Sequence, residues 1–387
     1  MTARGLSVVL AGGGTAGHIS PLIATAHAMQ QLRSAGTVDD VRITVVGTAR
    51  GLETTVVPAA GLTLELIPPV PLPRRPGRDL ALVPLRLARS VRAAVDLLRR
   101  VRADVVLGFG GYVSTPVYLA ARRLGVPIVL HEQNALPGLA NKLAARLTTH
   151  VYTSFPDTPL PHAHYLGLPI RRGITELDRA AAAGRARTEH QLAKDRPTLL
   201  VSGGSQGALS INRAVLGARA RLLAHGIQIL HVLGPKNLTA ETVREVDPQT
   251  GAAYQPVAFV TQMEQAYAAA DLMLARCGAS TVLETAVIGL PAVFVPYPHG
   301  NGEQARNAAL VVRAGGGLLV DDADCTADWV ASQIPPLLTD PERLAGMTAA
   351  LSGVARSDAA TGLAQATLAV ARAGAGQPIR SDGSEGR

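Results

Sequence analysis

Leu6-Ser7-Val8-Val9-Leu10-Ala11-Gly12-Gly13-Gly14-Thr15-Ala16-Gly17-His18 is the stretch whose reading decides the fold. An apolar, β-branched run over 6–11 stops on glycines, and an amphipathic pattern opens behind Gly17. A strand, a tight turn and a helix in that order begin a doubly wound α/β domain. The glycines satisfy G-x-G-x-x-G, a pattern shared by dinucleotide sites, by other phosphate-binding turns and by turns that only need close helix packing. A nicotinamide site asks for an acid at the end of the second strand to hold the ribose. Here that strand runs Val45-Val46-Gly47-Thr48-Ala49-Arg50, which leaves only an NADP variant built on Arg50. The turn would set His18 at the mouth of the cleft.

Working outward, short apolar runs alternate with longer amphipathic stretches, the grammar of βα units on parallel sheets. Strands are expected at 6–11, 41–47, 62–67, 104–108, 128–131 and 150–154, and again at 198–202, 228–233, 254–259, 272–275, 292–296 and 317–320. The second series also opens on a strand and a glycine turn, Gly203-Gly204-Ser205-Gln206-Gly207. The fold class is therefore α/β: two doubly wound, Rossmann-like domains facing across a cleft. The expected N-terminal domain is 1–165 and the C-terminal one 166–345, with helices at 346–373 returning to the first domain and a disordered tail at 374–387. The proline-rich Phe155–Pro169 lacks periodicity and reads as the hinge.

The 387 residues, 47% hydrophobic and 17% charged, suit two buried cores and exclude a disordered chain. The net charge of +8 rests almost wholly on arginine, which fits either a codon bias or contact with phosphates and anionic membrane. Only 3% of residues are aromatic and no basic stretch interleaves with them, which argues against nucleic acid. Cys277 and Cys325 stand alone and read as reduced thiols rather than a disulfide or zinc pair. No run nears the roughly 20 apolar residues of a membrane span, so any membrane contact is expected to be peripheral.

Three glycine turns, at 12–17, 108–111 (Gly108-Phe109-Gly110-Gly111) and 203–207, follow strands. Such turns gather bare N–H groups beside helix N-termini and bind anions without a metal. Gly278-Ala279-Ser280-Thr281 also follows a strand and leads into a helix carrying Glu284. Its amides and hydroxyls suit a diphosphate and Glu284 a ribose; equally, Ser280 could be a helix cap and Glu284 an acid that complements the dipole. Asp322-Ala323-Asp324 matches the Asp-x-Asp of metal-holding transferases, but it comes after the last strand and reads as a solvated turn; neither metal nor cofactor is expected.

The set GGGTAGH (12–18), GFGGYVS (108–114), HEQN (131–134), GGSQGA (203–208), GAST (278–281) with Glu284, and HGNGEQARNA (299–308) resembles the MurG family over about residues 6 to 340. That family comprises cytoplasmic, GT-B-fold UDP-N-acetylglucosamine transferases of peptidoglycan synthesis. The resemblance implies an inverting transfer of GlcNAc from UDP-GlcNAc to the MurNAc C4 hydroxyl of undecaprenyl-pyrophosphoryl-MurNAc-pentapeptide (lipid I to lipid II). It places uracil against the backbone at Val260, the diphosphate over Ala279, Ser280 and Thr281, the ribose on Glu284 and the sugar near Gln304. Ser205 and Arg171 would approach the phosphates, and Thr15, Ala16, Gly17 and Asn134 would face the donor sugar. His18 is the expected base, or else only orders the turn or the acceptor diphosphate; Glu132 is the second candidate. Two positions depart from the family pattern: Leu168 stands where an asparagine is common, and Glu303-Gln304 where a glutamine pair is.

A lipid acceptor draws attention to residues 70–102, where Arg74, Arg75, Arg78, Leu80, Leu82 and Val83 are expected to rest on anionic headgroups. The same leucines would equally pack an amphipathic helix into the domain, with Pro84 interrupting the pattern. The implied location is the cytoplasmic face of the plasma membrane, with partners among cell-wall synthesis proteins. An NADP oxidoreductase and an inert UDP-sugar-binding scaffold are the competing readings.

Overall fold

The computed structural model describes residues 5–37, 40–49, 51–70, 82–204, 206–240, 242–299 and 301–374. The chain separates into two compact units, Met1–Arg171 with Ser357–Arg387, and Arg172–Arg356.

The first unit runs β1 (Leu6–Gly12), α1 (Ala16–Ser34), β2 (Val41–Gly47), α2 (Glu53–Ala59), β3 (Thr63–Leu66), α3 (Val83–Val101), β4 (Val105–Gly110), α4 (Ser114–Leu124), β5 (Ile128–Glu132), α5 (Leu139–Ala144), β6 (His150–Thr153) and β7 (Ala163–Tyr165). All seven strands pair in parallel in the order β3-β2-β1-β4-β5-β6-β7. Alternation explains why β1 reads as an unbroken apolar run. Val9 and Ala11 join a core with Val95 and Leu98 of α3 and Val117 of α4, while Val8 and Leu10 join one with Leu22 of α1. Both faces of the sheet are covered, so both alternate sets are mainly apolar, and the one polar side chain of β1, Ser7, donates its hydroxyl to the Val101 carbonyl.

The second unit runs α6 (Arg172–Thr175), α7 (Arg179–Glu189), β8 (Thr198–Ser202), α8 (Leu209–Ala224), β9 (Gln228–Val232), β10 (Glu245–Val246), β11 (Ala253–Val257), α9 (Met263–Ala269), β12 (Leu272–Ala275), α10 (Ala279–Val287), β13 (Ala292–Phe294), α11 (Glu303–Ala314), β14 (Gly317–Leu319), α12 (Ala327–Gln333), α13 (Pro335–Leu338) and α14 (Pro341–Ala350). Its sheet order is β10-β11-β9-β8-β12-β13-β14, parallel except for the β10–β11 pair. The last helix, α15 (Ala359–Gly374), belongs to the first unit, where Leu363 and Leu368 enter the core beside α1.

Several expectations are corrected here. The first unit extends past residue 165, because Leu168 and Ile170 are buried, and a buried leucine is what the Leu168 position requires. Residues 346–356 stay with the second unit, whose core holds Met347; only α15 packs on the first. The proline-rich stretch hides a seventh strand, β7, whose three residues are too few to show alternation. Pro84 does not break a helix; it sits in the first turn of α3, where its missing N–H leaves no bond unmade. Residues 375–387, with the expected tail, lie outside the described residues, as do Arg74, Arg75, Arg78, Leu80 and Ser205.

Candidate active site

In each sheet the chain leaves the first strand in one direction and later resumes on its other side, between β1 and β4 and between β8 and β12. In open α/β sheets ligands bind at the carboxyl ends of the strands beside such a switch point. The glycine turns stand there in both units.

In the first unit, β1 hands over to the Gly12–Gly14 turn, and Gly14 takes a left-handed φ of 86°. Gly111 (φ 81°), after β4, backs onto this turn: a Cβ on it would lie 2.6 Å from the Gly13 carbonyl oxygen and 3.6 Å from His18 Nδ1. Thr15 is the N-cap of α1, yet its hydroxyl caps no amide. Instead Thr15 Oγ1 and His18 Nδ1 share a hydrogen bond of 2.8 Å. That bond holds the ring and directs Nε2 away from Thr15. Loss of solvent lowers the His18 pKa, which keeps the imidazole neutral near pH 7. Ala16 and Gly17 are exposed in the same first turn, which contains no acidic residue.

Glu132 is placed differently from the expectation that it could act as a base. It is 2% exposed at the end of β5, and Asn134 N, Gly138 N and Asn141 Nδ2 donate to it at 2.9, 3.1 and 2.9 Å. Burial pushes its carboxyl above the usual range, and these donors pull it back. A group so enclosed shapes the 133–138 loop, and with it the half-buried Asn134, rather than meeting substrate. Asn141 also accepts from the Tyr118 hydroxyl at 3.0 Å. Gly108 and Gly110 leave room for Tyr118 and Asn141, since a Cβ on either would crowd these side chains.

In the second unit, Gly203, Gly204 and Gly207 carry the turn after β8. Gly204 and Gly207 have left-handed φ, and a Cβ on Gly207 would lie 1.9 Å from the Leu233 carbonyl oxygen. After β12, Gly278 caps α10 without a side-chain hydrogen bond, so the amides of Ala279, Ser280 and Thr281 form the unsatisfied first turn of a helix. Ala279 is buried; Ser280 and Thr281 are half-buried. Glu284 lies one turn on, and Tyr267 donates to its Oε2 at 2.7 Å. Gln304, in the first turn of α11, accepts from Tyr297 N at 2.9 Å through Oε1. Val260 is half-buried in the loop after β11, and Arg171 is half-buried at the end of the first unit.

Sequence reasoning missed the clamp beside the Gly278 turn. Arg276 donates to the Pro296 and Val295 carbonyls and to Ser210 Oγ, at 2.9, 3.2 and 2.8 Å, and pairs with Asp322. Ser210 in turn donates to Asp322 at 2.7 Å. The expected solvated turn at Asp322 is thus wrong: this carboxylate is half-buried and fixes Arg276, immediately before the Gly278 turn. Cys277 and Cys325 are buried thiols, pushed up to about 12 and about 11 by burial. A surface cavity of about 690 Å³ beside Arg122, Arg146 and His150 lies at the amino ends of β5 and β6, the far end of that sheet from the glycine turns.

Among the described residues no helix is long and apolar enough to cross a membrane, and no group of three or more His, Cys, Asp or Glu gathers to hold a metal ion. Two tandem Rossmann-like domains, each with glycine turns at its switch point, define the class of GT-B glycosyltransferases. Glycosyltransferase family 28 models match both halves, the N-terminal domain over residues 8–153 and the C-terminal domain over 198–363, and the chain belongs to this family. It is 55% identical over 368 residues to the UDP-N-acetylglucosamine–N-acetylmuramyl-(pentapeptide) pyrophosphoryl-undecaprenol N-acetylglucosamine transferase of a Nocardioides species, covering 94% of this chain and 98% of that protein. The enzyme of the same name in Mycolicibacterium smegmatis is 53% identical over 375 residues, 96% of this chain and 95% of that protein. Among solved structures, MurG of Acinetobacter baumannii matches with a TM-score of 0.73 and 26% identity over 94% of this chain and 99% of that one. The calicheamicin glycosyltransferase, at 18% identity and a TM-score of 0.64 over 95% and 99%, shares the fold. None of these relatives favours an oxidoreductase.

Proposed function

We propose that this chain transfers GlcNAc from UDP-GlcNAc to the MurNAc C4 hydroxyl of undecaprenyl-pyrophosphoryl-MurNAc-pentapeptide, with inversion. The observation that carries this reading is near full-length identity above 50% to transferases named for that reaction. The second unit holds the donor: uracil at Val260, ribose on Glu284, diphosphate over the first-turn amides at 279–281 with Ser205, and sugar at Gln304, and Arg171 of the first unit approaches the phosphates. The first unit supplies Thr15, Ala16, Gly17, Asn134 and the base. With Nδ1–H donating to Thr15 Oγ1, the lone pair of His18 Nε2 takes the proton of the acceptor hydroxyl. That oxygen bonds to the anomeric carbon as the bond to UDP breaks, and UDP leaves with the electron pair. Helix-terminal amides oppose the charge developing on its diphosphate.

The chain meets an anionic membrane, at the cytoplasmic face, through the start of α3 and the arginines before it. Leu82 and Leu85 are 43% and 52% exposed there, with Arg89 and Arg92 exposed just behind. Val83, in the same turn, is half-buried.

A UDP-release assay with and without lipid acceptor tests the reading. Release is expected to require both substrates, to prefer UDP-GlcNAc over UDP-GalNAc, and to persist in a chelator. His18→Ala should cut turnover about 100-fold or more while UDP affinity stays within a few fold. Release without acceptor, or equal loss of turnover and UDP affinity, would remove the reaction or the base. In vesicle co-sedimentation, Leu82→Glu with Leu85→Glu should abolish binding yet keep turnover on a short-chain acceptor; unchanged binding would remove the membrane face.

A further inference from the structure

The strand β2 ends without the acid that a dinucleotide site needs, yet an acid does reach the first glycine turn. Glu53, the first residue of α2, is wholly buried, and its side chain points back toward β1. Gly14 N–H donates to Oε2 at 3.2 Å, and Thr48 donates to Oε1 through its N–H at 3.0 Å and its hydroxyl at 3.1 Å. Glycines wall the carboxylate on three sides. A Cβ on Gly13 would lie 2.9 Å from Oε1, one on Gly47 2.5 Å from Cγ, and one on Gly51 1.8 Å from Oε2. The glycines at 13, 47 and 51 thus make room for a carboxylate.

We propose that Glu53 is a positioning residue for transfer: it occupies the anion-binding turn from the protein's side and fixes Gly13–Thr15, so that the Thr15 hydroxyl holds the His18 ring at its working angle. The chain of contact is short. Glu53 fixes the Gly14 amide, Gly14 precedes Thr15, and Thr15 bonds His18 Nδ1. The Gly14 amide, which a bound pyrophosphate would claim in a dinucleotide site, is already taken. This removes the physical basis for an NADP reading of the turn. It also directs an acceptor diphosphate away from Gly14, toward the exposed Ala16 and Gly17.

The inference rests on the base role given to His18, and the test separates the two. Glu53→Gln keeps the volume but turns one oxygen into an NH2 facing the Gly14 or Thr48 donors. In the full chain, kcat is expected to fall 10- to 100-fold while UDP affinity changes less than twofold and the urea midpoint is largely kept. Because shape is conserved, a purely space-filling role would leave kcat within twofold, and that result overturns the proposal. An NMR titration of the His18 ring nitrogens supplies a readout independent of turnover: Glu53→Gln should shift the Nδ1 resonance, and an unchanged spectrum overturns the proposal. Combined with His18→Ala, Glu53→Gln should cost little further turnover; independent, multiplicative losses would place Glu53 outside the His18 route. Should His18→Ala retain full turnover, the base assignment fails, and the ring spectrum still decides whether Glu53 sets the ring. Thr48→Ala, which removes one hydroxyl donor and keeps both amides, should lower kcat by only a few fold. A loss as large as that of Glu53→Gln would shift the controlling contact from the Gly14 amide to Thr48 and overturn the proposal.

Discussion

A histidine serves as a base only while its ring is neutral, and burial supplies that condition for His18. Its pKa lies below the ordinary 6.5, with loss of solvent as the cause, so protonation costs more in the folded protein than in water. The sign follows: kcat/KM should rise as pH increases through an inflection below 6.5 and then stay flat across neutral pH. A profile whose acid limb has its midpoint above 6.5 would exclude His18 as the titrating base. The sequence alone singles out His18 as the expected base, a titratable side chain directly behind a glycine turn. Neither Glu53 nor Asp322 is legible in this way. The contacts that tie them to the glycine turn and to α8 reach 39 and 112 residues along the chain, to Gly14 and Ser210, and no local period records such a contact.

At the scale of elements, the two turns beside β1 and β4 behave as one piece, because Gly111 fits against the Gly13 carbonyl. Gly111→Ala would force a left-handed residue and a Cβ at 2.6 Å from a backbone oxygen that cannot swing aside. Gly14→Ala meets no atom within 4 Å and has only its φ of 86° to overcome, on the order of 1–2 kcal/mol. Urea unfolding and UDP release on both variants should therefore diverge. Gly111→Ala is expected to lose more stability and at least tenfold more turnover than Gly14→Ala, and equal losses would show that the turns act separately. Most strands were readable because a sheet covered on both faces demands continuous apolar runs. The exceptions, β7 and β10, hold three and two residues at sheet edges, where one neighbour and little burial leave no pattern to read. The start of α3 was misread for a related reason: Pro84 interrupts a periodicity count but suits a helix's first turn.

Each unit also carries one fully buried histidine that burial holds in its neutral form, and this couples the stability of the whole molecule to pH. His131 Nε2 donates to the Gly167 carbonyl at 2.9 Å, while Nδ1 faces the Gln133 amide nitrogen at 3.1 Å. His231 Nε2 meets Asn212 Oδ1, and Nδ1 meets the Tyr254 hydroxyl, both at 3.1 Å. Burial lowers these rings to about 4 and about 3. Above pH 6.5 both rings are neutral folded or unfolded, so their contribution is fully present. As pH falls below 6.5 the unfolded chain takes up protons that the folded chain refuses, and stability is lost until the folded pKa is reached. Between pH 6.5 and 5 each ring should subtract about 2 kcal/mol, at roughly 1.4 kcal/mol per pH unit. Chemical unfolding at pH 7 and pH 5 should register this loss in both units. His131→Gln, though less stable at neutral pH, should flatten the acid slope of the first unit and leave that of the second. Equal slopes with and without His131 would mean that carboxylates, not this ring, govern the acid limb.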